Sequence, residues 1–153
     1  MTVRRGVRLG VDAGGVRIGV ARCDPDGVLA TPVETVPAAD SGAGRVAEIA
    51  RELDVFEVVV GFPVSMSGSE GPAAERARDF ARELAGLVDV PVRLVDERLT
   101  TVEATRGLQA SGLSSREGRR VVDQASAVVI LHHALETERR TGRPAGEIVE
   151  ARS

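Results

Sequence analysis

The chain of 153 residues has one cysteine, three aromatic side chains, no lysine and no long apolar run. A single thiol, Cys23, excludes an intrachain disulfide, and its simplest role is that of a small apolar residue near a strand end. With only Phe56, Phe62 and Phe80, the core has to be built from Val, Leu, Ile and Ala. The surface also lacks the rings on which single-stranded bases stack. All twenty basic residues are arginine. That bias has the ordinary explanation of a GC-rich genome, although Arg also suits bidentate contacts to phosphate. No apolar stretch approaches the roughly 20 residues of a membrane span. The N-terminal segment, broken by Arg8 and Asp12, makes a poor signal peptide. A cytoplasmic location with no membrane contact is therefore expected. The formal charge of −3 argues against a dedicated polyanion binder, so any nucleic-acid contact must rest on a local patch.

What is present is a change of period along the chain. Residues 7–12, 16–23 and 28–36 read as three strands with tight connections, an antiparallel meander. Between the second and third, Asp24-Pro25-Asp26-Gly27 is a turn in which Pro presets φ and Gly accepts a positive one. Pro32 inside the third strand implies an edge or a bulge. Val46, Ile49, Ala50 and Leu53 then recur at helical spacing over 43–54. A β-branched strand follows at 55–61, and after a Pro/Ser/Gly loop a helix at 73–87 carries Ala77, Phe80, Ala81 and Leu84 on one face. Residues 91–95 form a fifth strand. Thr100-x-x-Glu103 and Ser114-x-x-Glu117 are capping-box patterns, Gly112 is a plausible helix end, and a long apolar-faced helix runs from about 120 to 137. Strands reached through helices are parallel neighbours. The expected fold is thus α/β: a mixed five-stranded sheet, a three-strand antiparallel meander plus two parallel strands, with helices on both faces. The expected organisation is a single domain over 6–137, followed by a partly flexible tail over 138–153.

Three acids stand where chemistry is commonly done. Asp12 ends the first strand in Leu9-Gly10-Val11-Asp12-Ala13-Gly14-Gly15, and sites in open α/β sheets form at such carboxyl ends. The two glycines leave room for a substrate or a backbone, although a turn-capping Asp reads the same way. Asp96 and Glu97 follow the fifth strand; they alternate, so only one of them shares a face with Asp12. Asp123 opens the apolar part of the last helix, where a carboxylate also suits the helix dipole. Converging carboxylates repel unless a cation joins them. Hard oxygen donors suit Mg²⁺, and two such ions about 4 Å apart serve phosphodiester cleavage. No His/Cys set has zinc spacing, and the adjacent His132 and His133 read as non-catalytic.

Four segments, "LGVDAGGVRIGVA", "VVVGFPVSMSGSEGPAAE", "VRLVDERLTT" and "VVDQASAVVILHHAL", resemble in order and spacing the YqgF/RuvX family. The resemblance spans roughly residues 6–137. It implies an RNase H-like fold related to RuvC Holliday-junction resolvases. It places the family's carboxylates on Asp12, Glu97 and Asp123, so it chooses Glu97 over Asp96, with Mg²⁺ or Mn²⁺, one or two ions, as cofactor. It implies a nuclease that matures the 5′ end of the small-subunit ribosomal RNA precursor, or a junction resolvase acting on branched DNA. Two cations common in the family pattern are absent: Val64 stands where a basic residue is frequent, and Gly15-Val16 precede Arg17 where Thr-Lys is frequent.

Between Asp96 and Asp123 there are five arginines and five acids, so a metal that neutralises Glu97 and Asp123 would leave a net positive patch. Arg116, Arg119 and Arg120 are the first candidates for phosphate contacts, with Arg17, Arg98 and Ser67 beside them. Each is also readable as solvated surface. "DAGGVRIG" further resembles the phosphate loop of actin-like ATPases and sugar kinases, but those clasp nucleotide between two such domains. A non-catalytic RNA-binding assembly factor is the third reading. Structured RNA or branched DNA is the expected partner, for a monomer or a homodimer.

Overall fold

The β2–β3 turn shows how local chemistry sets this fold. Asp24 Oδ1 accepts the backbone N–H groups of Leu29 (2.6 Å) and Val28 (2.9 Å), and Oδ2 that of Asp26 (3.0 Å). Led by the Leu29 bond, these donors hold the Asp24 carboxyl below the usual carboxylate range. Gly27 takes φ +67°, a left-handed position that Gly fills without strain.

The computed structural model describes residues 3–63, 71–96 and 115–151, with side chains described for all of these except 115–123. The elements are β1 (Arg8–Ala13), β2 (Arg17–Cys23), β3 (Ala30–Pro37), α1 (Ala43–Glu52), β4 (Glu57–Phe62), α2 (Pro72–Ala85), β5 (Val92–Asp96), α3 (Ser115–Thr141) and β6 (Glu147–Ile148). They form one sheet in the order β3-β2-β1-β4-β5-β6. The first three strands are antiparallel and β1, β4 and β5 are parallel, as the meander-then-crossover reading requires. Pro32 proves to lie both on the sheet edge and at a bulge: the β2–β3 register steps from Val20↔Glu34 to Ala21↔Pro32, leaving Val33 unpaired.

The sheet has six strands rather than five. Glu147–Ile148 pairs antiparallel with Arg93–Leu94, inside the segment expected to be a tail. Gly142 (φ +73°) and Gly146 (φ +78°) turn the chain back after α3. Two residues carry no readable period, so this strand is set by its pairing partner rather than by its own pattern. The last helix is also longer than its apolar stripe predicts. The helix opening at Thr100 and the Ser114 cap lie outside the described residues.

Helices cover both faces. On one, α1 and α2 press Val46, Ile49, Phe80 and Leu84 onto Leu9, Val11, Val58 and Val60. On the other, α3 lays Ala127, Ile130, Leu131 and Leu135 against Ala21, Val59 and Val95. Gly10 governs how closely α3 approaches. A Cβ there would stand 2.9 Å from both the Ala127 carbonyl oxygen and Leu131 Cβ, so the helix rests almost directly on the backbone of β1.

Candidate active site

Alternation along β1 separates its side chains. Leu9 and Val11 enter the α1/α2 core, whereas Gly10 faces α3. Asp12 therefore belongs to the α3 side, at the carboxyl end of the strand, and it is half-buried. Its neighbours across the sheet are glycines. Gly19 is its partner on β2. On β4, Val60 pairs with Val11, and Gly61 is the next residue along. Gly61 in turn pairs with Val95. The carboxylate thus stands in a row whose flanking positions carry no side chain of their own. These two glycines are a feature that the sequence reading missed. Isolated Gly inside an apolar strand was the available sign of it.

The helix above runs antiparallel to β1. Arg8 meets Glu138, and Gly10 meets Ala127 and Leu131. Nearer its start, the Gln124 amide donates to Thr35 Oγ1 at 2.8 Å. Thr35 pairs with Gly19, which pairs with Asp12. The turn of α3 that carries Asp123 and Gln124 therefore runs at the level of Asp12.

The other expected residues divide as follows. Arg17 opens β2, half-buried, and alternates onto the α3 side with Gly19 and Ala21. Asp96 is exposed at the end of β5 and has the opposite parity to Val95, which faces α3. Arg116, Arg119, Arg120 and Asp123 lie in α3, at positions whose side chains are not described. Glu97, Arg98, Ser67 and Val64 lie outside the described residues. Among the described residues no three His, Cys, Asp or Glu gather as a metal set. Asp12 is accordingly the one member of the expected triad whose side chain is seen.

The two glycines after Asp12 have other occupants than a substrate. A Cβ on Gly14 would stand 2.5 Å from the Arg17 carbonyl oxygen, so that space is filled by the closing of the turn. A Cβ on Gly15 would meet the guanidinium of Arg76, from α2, at 3.2–3.3 Å. Cys23 is buried: the Arg8 N–H donates to its sulfur at 3.3 Å, and the thiol reaches the Gly6 carbonyl at 3.8 Å. That is a structural role.

At the opposite end of the same α3-facing layer, charges are buried in pairs. Glu57 accepts from Arg4 Nη2 and Arg93 Nε, both at 2.9 Å. Glu138 accepts from Arg4 Nε at 2.9 Å and from Arg8 Nη2 at 2.6 Å. Arg8 is 1% exposed and Glu57 2%. Burial works to raise the Glu138 carboxyl, but hydrogen bonds from Arg4 and the charges of Arg8 and Arg4 outweigh it and hold the group below its ordinary value.

A mixed sheet of this order, flanked by helices and carrying an acid at the carboxyl end of its first strand, is the RNase H-like fold of the resolvases. The solved structure of Thermus thermophilus RuvC in complex with Holliday junction substrate superimposes with TM-score 0.58 at 19% identity, covering 93% of this chain and 99% of that one. A second T. thermophilus RuvC structure gives 0.54. The family model RuvX, described as Holliday junction resolvase, matches residues 6–137, and the chain belongs to that family. Proteins named "Putative pre-16S rRNA nuclease" from Streptomyces coelicolor and Streptomyces avermitilis are 60% and 58% identical to it. The first alignment covers 97% of this chain and 90% of the relative, the second 98% of each.

Proposed function

We propose that this chain is a metal-dependent nuclease that hydrolyses phosphodiester bonds, and that its substrate is the 5′ region of the pre-16S ribosomal RNA. Asp12 carries the reading. It is a half-buried carboxylate at a strand's carboxyl end, flanked by Gly19 on β2 and, next along from Val60, by Gly61 on β4, the place where sites form in open α/β sheets. Asp123 joins it from the turn of α3 that runs at the same level. Glu97 completes the set; it has the sequence parity of Val95, which faces α3.

The donors are carboxylates alone, which suits Mg²⁺ or Mn²⁺ and not a soft metal. Asp12, Glu97 and Asp123 would hold it. When bound, the metal supplies a more acidic water and offsets charge on the phosphate oxygens. The chain's own residues do the remainder. Asp12 fixes the geometry from a strand that cannot shift without breaking two ladders. Arg17, on the same side, and Arg98, Arg116, Arg119, Arg120 and Ser67 hold the flanking phosphates. No helix among the described residues is long and apolar enough to cross a membrane, in keeping with work in the cytoplasm.

The test is cleavage of two labelled substrates, a ribosomal RNA precursor fragment and a four-way DNA junction, with Mg²⁺ and with Mn²⁺, by wild type and Asp12→Asn. Metal-dependent cutting of the RNA, lost in the variant, is expected. Cutting of the junction alone would move the substrate to branched DNA. Binding of RNA without cutting, the same in both proteins, would make the chain a non-catalytic assembly factor.

A further inference from the structure

The turn after Asp12 carries no cation ahead of Arg17: Gly14, Gly15 and Val16 fill it. The fold brings one there from elsewhere. Arg76, from the second turn of α2, reaches over Gly15. Its Cζ, Nε and Nη2 lie 3.2, 3.3 and 3.3 Å from where a Gly15 Cβ would stand. Three near-equal distances mean that the face of the guanidinium lies against that position. Both Gly15 and Arg76 are exposed. Among the described residues no hydrogen bond or ion pair ties Arg76 down. The turn and α2 form the walls of an open cleft of about 480 Å³ at the carboxyl end of the sheet.

We infer that Arg76 is a phosphate-binding residue of the nuclease, bringing a cation from α2 to the Asp12 turn. The inference rests on the nuclease reading and deepens it. The substrate strand would then cross the sheet end, with the scissile phosphate at Asp12 on the α3 side and a neighbouring phosphate at Arg76 on the α2 side. A side chain at position 15 would press on the guanidinium, which would have to give by a few tenths of an ångström. The cleft also holds Glu75, Asp79 and Glu83. These acids rule it out as a general polyanion trough, so Arg76 serves one phosphate at the rim. A planar fork over a backbone turn suits a single bidentate contact.

The experiment measures binding and cleavage of a labelled pre-16S RNA fragment by wild type, Arg76→Ala, Arg76→Lys and Arg82→Ala. Arg82 is an exposed cation farther along the same helix and serves as the control for net charge. Arg76→Ala should raise KM about tenfold with kcat within about twofold, and should flatten the salt dependence of binding by about 0.7 of a log unit per log salt, one phosphate contact on a single strand. Arg76→Lys should restore the salt slope. Arg82→Ala should stay near wild type. Wild-type values in Arg76→Ala, or an equal loss in Arg82→Ala, would overturn the assignment of Arg76 while leaving the nuclease intact. A wild type that neither binds nor cuts RNA would overturn the nuclease reading and this one together.

Discussion

The α3-facing layer of this sheet has two ends, about 13 Å apart along β1, and they treat charge in opposite ways. At the amino end, Arg4, Arg8 and Arg93 enclose Glu57 and Glu138, and every carboxylate has guanidinium partners within hydrogen-bond distance. Phe56 backs the cluster, its ring centroid 5.1 Å from Arg4 and 4.8 Å from Arg8. At the carboxyl end, Asp12 stands between glycines, on the level of another acid in α3. The first end satisfies its charges within the protein. The second presents Asp12 beside the turn of α3 that carries Asp123, where the proposed nuclease would bind its cation. Losing a partner should therefore unfold the first end and disarm the second.

The largest effect expected is on chemistry. Asp12→Asn should reduce cleavage to background in Mg²⁺ and Mn²⁺ while thermal unfolding stays cooperative, because the isosteric amide keeps the volume of the side chain; residual cutting near wild type would break the contrast. At the other end, Glu138→Ala removes the 2.6 Å partner of the buried Arg8 and leaves it only the longer, 3.6 Å ion pair with Glu57. Breaking a buried pair in this way costs about 3–5 kcal/mol, read by urea unfolding. Specific activity of the folded fraction should be retained.

Acid should act at the same end. The Glu138 carboxyl is held below its unfolded value. Its contribution is thus present above the unfolded pKa and is lost as pH falls through the lower folded one. Urea midpoints measured downward from neutral pH should fall in the acid range, and Glu138→Ala should flatten that decline. An equally steep decline in the variant would remove Glu138 from the account.

Gly10→Ala links the two ends. The added methyl meets α3 at 2.9 Å, and overpacking of this kind costs about 1–3 kcal/mol. Because α3 also carries Asp123, activity should fall with stability. A loss of stability alone would mean that the helix position does not set the site. Smallest is Arg5→Ala, which removes an exposed pair with Asp26. It should change stability by less than about 0.5 kcal/mol.

Much of this was legible in the residues. Strand and helix periods name eight of the nine elements, and Pro32 announces both an edge and a bulge. The two-residue β6 is not legible, because its pairing is fixed by the turn at Gly146 and not by any pattern of its own. Asp12 is readable because an acid ends an apolar strand. The glycines that follow it mislead: their space is taken by the Arg17 carbonyl and by Arg76, and the latter contact joins residues 61 apart in the chain. The buried ion cluster is hidden for a similar reason. Glu57 and Arg8 look like ordinary strand-end charges until the sheet and α3 enclose them.

The most direct test of the contrast is the effect of Mn²⁺ on thermal unfolding of wild type and Asp12→Asn. A cation that neutralises the carboxyl end binds the folded state only, so wild type should gain stability with rising Mn²⁺. The variant should gain little. An equal Mn²⁺-dependent gain in both proteins would contradict the claim that Asp12 holds the metal.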